Sequence, residues 1–249
     1  MVFPELVAHR GYALHYPENT LVAVEAAIRA GARYVEIDIQ LTADKLPVLF
    51  HDRDLERLCG VIGKVHEFPL IRLHGLHASE FGRFGYRYAQ VPIATLAEFV
   101  ALLQREPQVT TFVELKRISI ERFGTDSMLE QVLPVIEPIR NQCVLISFSQ
   151  ECLLAARQVG WYNLGVILEQ WNDRKNGMVQ KIRPEYLFCD AASLPRRGRL
   201  RTAPARLAVY EITDPNEAVA LARRGVELVE TFAIGEMLSA FEMLRGAPA

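Results

Sequence analysis

The sequence predicts a single α/β domain, a (β/α)8 TIM barrel with a small insertion after the second strand. Three observations carry that reading. Eight short apolar or alternating segments follow one another, most of them separated by helical patterns, and such repetition implies a parallel sheet. Eight units within 249 residues fit a closed barrel better than an open doubly wound sheet. No Gly-x-Gly-x-x-Gly follows the first strand, which counts against a dinucleotide-binding fold.

The elements follow in order. Leu6-Val7-Ala8 is a short apolar strand. A helix is expected from Asn19 to Ala30, because Leu21, Val24, Ala27 and Ile28 recur at helical spacing, Asn19 or Thr20 supplies an N-cap, and Gly31 stops it. Tyr34 to Leu41 alternates with period two, with Val35, Ile37 and Ile39 on one face and Glu36 and Asp38 on the other. A turn at Asp44-Lys45 leads to Pro47–His51, a hairpin extension of that strand. Between Asp54 and about Gln90 the rhythm breaks. Gly60, Gly63, Pro69, Gly75, Gly82 and Gly85 punctuate it without a long periodic run, so residues 54–90 are the insertion, placed over one end of the sheet.

The rhythm resumes with a helix from Thr95 to Gln104, a strand from Thr111 to Leu115 and a helix from Asp126 to Ile139. Strand Val144–Ser147, helix Gln150–Val159, and strands Leu164–Leu168 and Tyr186–Phe188 come next. Strand Leu207–Ile212, helix Asn216–Arg224, strand Val226–Val229 and a helix from Gly235 to Leu244 complete one domain over residues 1–249.

Composition excludes several classes. Half the residues are apolar and 23% charged, enough apolar side chain to offset the ordering entropy that keeps other chains disordered. No apolar run approaches the roughly 18 residues of a transmembrane segment. With 28 Lys plus Arg against 30 Asp plus Glu, phosphate neutralisation on nucleic acid is not expected. Met1 to Glu5 lacks the basic and apolar regions of a signal peptide, and Cys59, Cys143, Cys152 and Cys189 are scattered without metal spacing. Reduced thiols and a cytoplasmic location are the expectation.

Polar residues at the ends of successive strands carry the chemical signal, since that end of a barrel holds the active site. The first strand runs into His9-Arg10, the second carries Glu36 and Asp38, its extension ends in His51-Asp52, and the third carries Glu114 and Lys116. Each i, i+2 pair projects from one face, and the opposite faces are apolar, so the charged faces are expected to point into the barrel mouth. Singly, each residue has an ordinary explanation: a histidine at a strand end is commonly structural, and Glu114 with Lys116 suits a solvated pair. Together, Glu36, Asp38 and Glu114 side by side are costly without a counter-ion. Arg10 and Lys116 leave the three carboxylates with one net negative charge, and a divalent cation turns that to one positive, which suits a phosphodiester. All-oxygen ligation favours Mg2+ or Ca2+ over Zn2+. His9 and His51 are then free for general acid and base work.

In order, His9-Arg10-Gly11, Pro17-Glu18-Asn19-Thr20, Glu36-x-Asp38, His51-Asp52 and Glu114-x-Lys116 resemble the glycerophosphodiester phosphodiesterase family, as do Asp54-Leu55-Glu56-Arg57 and the run Val91-Pro92 to Glu98. The resemblance implies a barrel hydrolase that uses a divalent cation to cleave small glycerophosphodiesters to glycerol 3-phosphate and an alcohol, in glycerol and lipid metabolism. It implies Glu36, Asp38 and Glu114 as metal ligands, His9 and His51 as the acid–base pair, and Arg10 and Lys116 as phosphate-binding cations. Pro17 to Thr20 reads as a helix start with Asn19 capping and Glu18 placed to brace the site.

The final third departs from the family pattern. Tyr210-Glu211-Ile212-Thr213 stands where Trp-Thr-Val-Asn is common, and Thr231-Phe232, preceded by Glu230, where Thr-Asp is frequent. Tyr210 keeps an aromatic pocket wall, and strand alternation leaves the direction of Glu211 open. Arg196, Arg197, Arg199 and Arg201 fall where a longer helix is common and read as a solvated loop or short helix. Two other functions compete. Lysophospholipase D-type cleavage of lipid substrates wants an apolar groove, and a non-catalytic phosphodiester-binding barrel wants a lost catalytic group, of which the sequence shows none.

Overall fold

A computed structural model of the chain describes residues 2–246. Its strands are β1 (Glu5–His9), β2 (Tyr34–Leu41), β3 (Pro47–Leu49), β4 (Thr110–Leu115), β5 (Cys143–Ser147), β6 (Leu164–Leu168), β7 (Tyr186–Asp190), β8 (Arg206–Tyr210) and β9 (Leu228–Thr231). Eight of them are parallel neighbours in the order β1-β9-β8-β7-β6-β5-β4-β2, and pairing of β1 with β2 closes the ring. β3 lies outside it. β2 outgrows β1, and its far end, Ile39–Leu41, takes β3 as an antiparallel partner.

Period-two alternation builds the two layers. Val7, Phe112, Val144, Ile146, Ile167, Phe188, Ala208 and Leu228 fill the barrel interior. The residues between them, such as Ala8, Val35, Ile37, Val113 and Leu145, pack under the helices. The interior is tight: a Cβ on Gly165 would sit 2.8 Å from Ile146 Cγ2 and 2.9 Å from Phe188 Cε2. Absence of a side chain there makes room for the aromatic ring.

The helices are α1 (Leu21–Arg29), the short α2 (Glu56–Cys59), α3 (Leu70–Leu73) and α4 (Phe81–Phe84), then α5 (Leu96–Leu103), α6 (Arg117–Phe123), α7 (Thr125–Ile136), α8 (Gln150–Gln158), α9 (Gly177–Ile182), α10 (Pro215–Arg224) and α11 (Ile234–Gly246). α2 to α4 belong to the insertion, which has its own small core of Leu55, Leu58, Val65, Leu73 and Ala78 against Val48, Phe50 and Ile93.

Sequence reading missed α6 and α9. α6 contains two isoleucines and a phenylalanine in seven residues, weak local helix formers. Tertiary packing decides it: Ile118 and Ser119 are buried, and Ser119 Oγ accepts from the Leu41 amide at 2.8 Å. α9 begins at a glycine and is six residues long, too short for a periodic signal. The expected helix to Ile139 turns 3₁₀ at Glu137. No helix forms between Leu194 and Arg206, and Arg196, Arg197, Arg199 and Arg201 are exposed on that loop.

Gly11 has φ +79°, and a Cβ there would meet the Ala23 carbonyl carbon at 2.7 Å and the Val24 nitrogen at 2.8 Å, backbone atoms that cannot swing aside. Gly11→Ala is therefore expected to destabilise the protein by about 2–4 kcal/mol, strain and overpacking adding, read as a lowered denaturation midpoint.

All four cysteines are free. Burial pushes the Cys59 and Cys152 thiols up to about 12 and Cys189 to about 11. At neutral pH the thiolate fraction falls below that of an ordinary cysteine, so folded protein is expected to react with a disulfide reagent far more slowly than unfolded protein. Among the described residues, no helix is long and apolar enough to cross a membrane.

Candidate active site

Strand register assembles the charged groups at the C-terminal mouth. β1 and β2 pair His9 with Glu36, and β2 and β4 pair Asp38 with Glu114. Alternation turns all four side chains inward, and Lys116, one residue past β4, points the same way. A cavity of about 140 Å³ results. His9, Arg10, Glu36, His51, Glu114 and Lys116 line one side, and Ile146, Phe148, Ile167, Phe188, Tyr210, Glu211 and Glu230 line the rest. His9, Arg10, Glu36, His51, Glu114, Lys116 and Tyr210 meet here, and Asp38 lies buried behind them against Lys116 and Arg10.

Glu36, Asp38 and Glu114 are buried, with one oxygen of each within 4.8 Å of the others. Lys116 Nζ stands 3.1 Å from both Asp38 Oδ1 and Glu114 Oε1, and Arg10 Nε 3.3 Å from Asp38 Oδ2. These charges split the carboxyls. Burial alone would raise Asp38, but Lys116 and Arg10 hold it well below the usual range. Burial beside Asp38 and Glu230 pushes Glu36 well above it, and burial pushes Glu114 to about 7 despite Lys116. Two protein cations do not neutralise this group. Glu36 Oε1 is buried without a hydrogen-bond partner. An all-oxygen donor set with an orphaned carboxylate oxygen fits a hard divalent cation, which Glu36, Asp38 and Glu114 would hold.

Asn19 is where the structure corrects the reading of the helix start. Of the two caps the sequence offers, Thr20 and not Asn19 caps α1, accepting from the Ala23 amide at 3.2 Å. Asn19 has φ +54° and turns back to clamp Asp38: its amide donates to Asp38 Oδ2 at 2.8 Å, and its oxygen accepts from the Asp38 amide at 2.9 Å. Glu18 does brace the site. It is buried and accepts from Arg10 Nη1 at 2.9 Å and from both terminal nitrogens of Arg57.

The two histidines are held differently. His51 Nδ1 lies 2.9 Å from Asp52 Oδ1, a bond in which the ring nitrogen donates when it carries the proton. Burial would raise Asp52, but Arg57 and His51 hold it well below the usual carboxylate range. His9 stacks on Phe232 at 4.9 Å and 11°, with Nε2 3.5 Å from Glu36 Oε2. Burial lowers its pKa, which favours the neutral ring. Glu211 resolves the open question of direction: β8 ends at Tyr210, alternation lapses, and Glu211 Oε1 comes within 3.2 Å of His9 Nδ1. Glu230, on β9, is buried and raised well above the usual range by burial and the Glu114 and Asp38 charges. Asn19, Arg57, Glu211 and Glu230 were not predicted as site residues. The adjacent motif residues signalled the first two, and departure from the family pattern the others.

A closed (β/α)8 ring with acidic, basic and imidazole groups converging at its C-terminal mouth defines the class: a barrel protein with the layout of a hydrolase of phosphate esters. Residues 9–231 match the glycerophosphoryl diester phosphodiesterase family, and the chain belongs to that family. A *Bacillus altitudinis* glycerophosphodiester phosphodiesterase is 34% identical over 145 residues, 58% of either chain. The *Bos taurus* glycerophosphodiester phosphodiesterase 1 is 31% identical over 152 residues, 61% of this chain and 45% of its own. The chain thus spans about half the length of the curated relatives it matches. Among solved structures, an *Oleispira antarctica* phosphodiesterase in complex with the product sn-glycerol-3-phosphate superimposes with a TM-score of 0.84, at 22% identity over 96% of this chain and 97% of that one. A glycerophosphodiester phosphodiesterase from *Agrobacterium tumefaciens* gives 0.77, at 20% identity over 95% and 99%.

Proposed function

We propose that the protein hydrolyses small soluble glycerophosphodiesters to glycerol 3-phosphate and an alcohol, with a divalent cation, Mg2+ or Ca2+, at Glu36, Asp38 and Glu114. One observation carries the reading: a cluster of three buried carboxylates, two of them lining the cavity, stands beside two histidines and two cations, on a chain of this family. When bound, the cation supplies Lewis-acid polarisation of a phosphoryl oxygen. Arg10 and Lys116 line the cavity as the cations that receive the phosphate's negative charge. His9 and His51 divide the proton work. One takes a proton from the attacking water as its oxygen bonds to phosphorus, and the other gives a proton to the alcohol oxygen as its bond to phosphorus breaks. Asp52 holds His51 at Nδ1, leaving Nε2 for that transfer. The reading places the protein in glycerol and lipid metabolism, in the cytoplasm, where its thiols stay reduced.

A second reading, cleavage of lysolipid diesters, has one observation in its favour. An open groove of about 690 Å³ shares Phe148 with the cavity and adds Ile120 and Met178 to its lining, although Arg117, Glu121 and Glu151 line it as well. Release of glycerol 3-phosphate from a panel of glycerophosphodiesters, with and without added Mg2+ or Ca2+, tests the first reading. A lysophosphatidyl diester in the same panel, followed by release of its headgroup alcohol because its other product is an acylated glycerol phosphate, tests the second. No release from any diester with either metal would overturn both.

A further inference from the structure

Arg57 belongs to α2 of the insertion, outside the barrel ring, and the reaction proposed above gives it no task. Its guanidinium nevertheless makes two forks. Nε and Nη2 donate to the two oxygens of Asp52 at 2.6 and 2.8 Å. Nη1 and Nη2 donate to the two oxygens of Glu18 at 2.9 and 2.7 Å. Behind Asp52 stands the His51 ring, and behind Glu18 stands Arg10.

The two branches differ in what else supports them. Arg10 keeps Asp38, 3.3 Å from its Nε, and its own amide donates to Glu36 at 3.1 Å. Among the described residues, Asp52 is the hydrogen-bond partner of the His51 ring, and Arg57 is the side chain that fixes both Asp52 oxygens. A carboxylate with one oxygen on an imidazole and no second anchor rotates about its terminal torsion, which is broad and soft. The fork removes that freedom, and a bidentate guanidinium does so with a geometry that lysine cannot copy.

We propose that Arg57 is a positioning residue that, through Asp52, holds the His51 ring in one tautomer and orientation and so makes the acid–base chemistry depend on the folded insertion. The inference rests on the proposed role of His51.

The test uses the full chain and its Arg57→Ala and Arg57→Lys variants. It reads kcat and KM on a glycerophosphodiester with Mg2+ or Ca2+, the thermal midpoint, and the ring 15N shifts of His51 in the metal-free protein, assigned by their loss in His51→Ala. Arg57→Ala is expected to lower kcat by about 10–100-fold, the usual scale for groups that orient a functional histidine. KM stays within about threefold, because Arg10 keeps its other partners. Arg57→Lys recovers only part of the loss, and the 15N shifts move from a single Nδ1-protonated tautomer towards a mixture. A folded Arg57→Ala protein with kcat within twofold of wild type, or with unchanged 15N shifts, would overturn the proposal. If Arg57→Ala does not fold, the lysine variant decides: normal kcat and unchanged shifts refute it. If the wild-type protein releases no glycerol 3-phosphate, the proposed function fails, and the 15N shifts still decide whether Arg57 holds the Asp52–His51 pair.

Discussion

Glu114→Gln is expected to fold normally and to release glycerol 3-phosphate at least about 10²–10³-fold more slowly, the scale set by losing one preorganised electrostatic group at a reacting phosphate. Its side chain keeps its shape and an oxygen for Lys116 Nζ, now 3.1 Å away, so the fold loses little. A cation bound there would lose a charged ligand, and the cavity would lose a negative charge. Chelator is expected to take wild-type activity to background, and added Mg2+ or Ca2+ to restore it. Asp38→Ala is the harsher variant. Asp38 is fully buried against Lys116, Arg10 and Asn19, and its removal leaves two partly buried cations short of a partner. That costs about 3–5 kcal/mol of stability in addition to activity. A chelator-treated enzyme with full activity, or a Glu114→Gln protein with wild-type kcat/KM, would remove the cation from the mechanism.

His51→Ala is expected to lower kcat by at least about 10²-fold, the usual contribution of a positioned acid or base. Its fold should survive, because the ring is partly exposed and its one side-chain hydrogen bond, to Asp52, leaves that carboxylate still forked by Arg57. His9→Ala is expected to match it in kcat but not in stability. The His9 ring is buried, stacked on Phe232 and wedged between Glu36 and Glu211, so its removal opens a cavity between carboxyls. Parallel measurement of kcat and the thermal midpoint separates the two. Wild-type turnover in His51→Ala would end its assignment to proton transfer.

Much of this site was legible in the chain because period-two alternation is a local property. Glu36 with Asp38, and Glu114 with Lys116, had to leave one face of their strands while Ile37, Val113 and Leu115 left the other, whatever the strands paired with. Spacing along the chain likewise showed the barrel's repeating units and the break that marks the insertion. Other features depend on partners distant in sequence. Register alone brings His9 beside Glu36 and Asp38 beside Glu114. α6 and α9 lack a local signal strong enough to overcome the cost of helix nucleation, and packing onto the barrel supplies it. Asn19 looked like a cap because a cap and a clamp use the same side-chain atoms, and only the position of Asp38 separates them. Glu211 faces His9 because β8 ends one residue earlier, a boundary set by pairing with β7 and β9. Local pattern specifies which groups can converge at the mouth. Tertiary structure decided which of them touch, because register, closure and the approach of the insertion arise from long-range packing that no local period encodes.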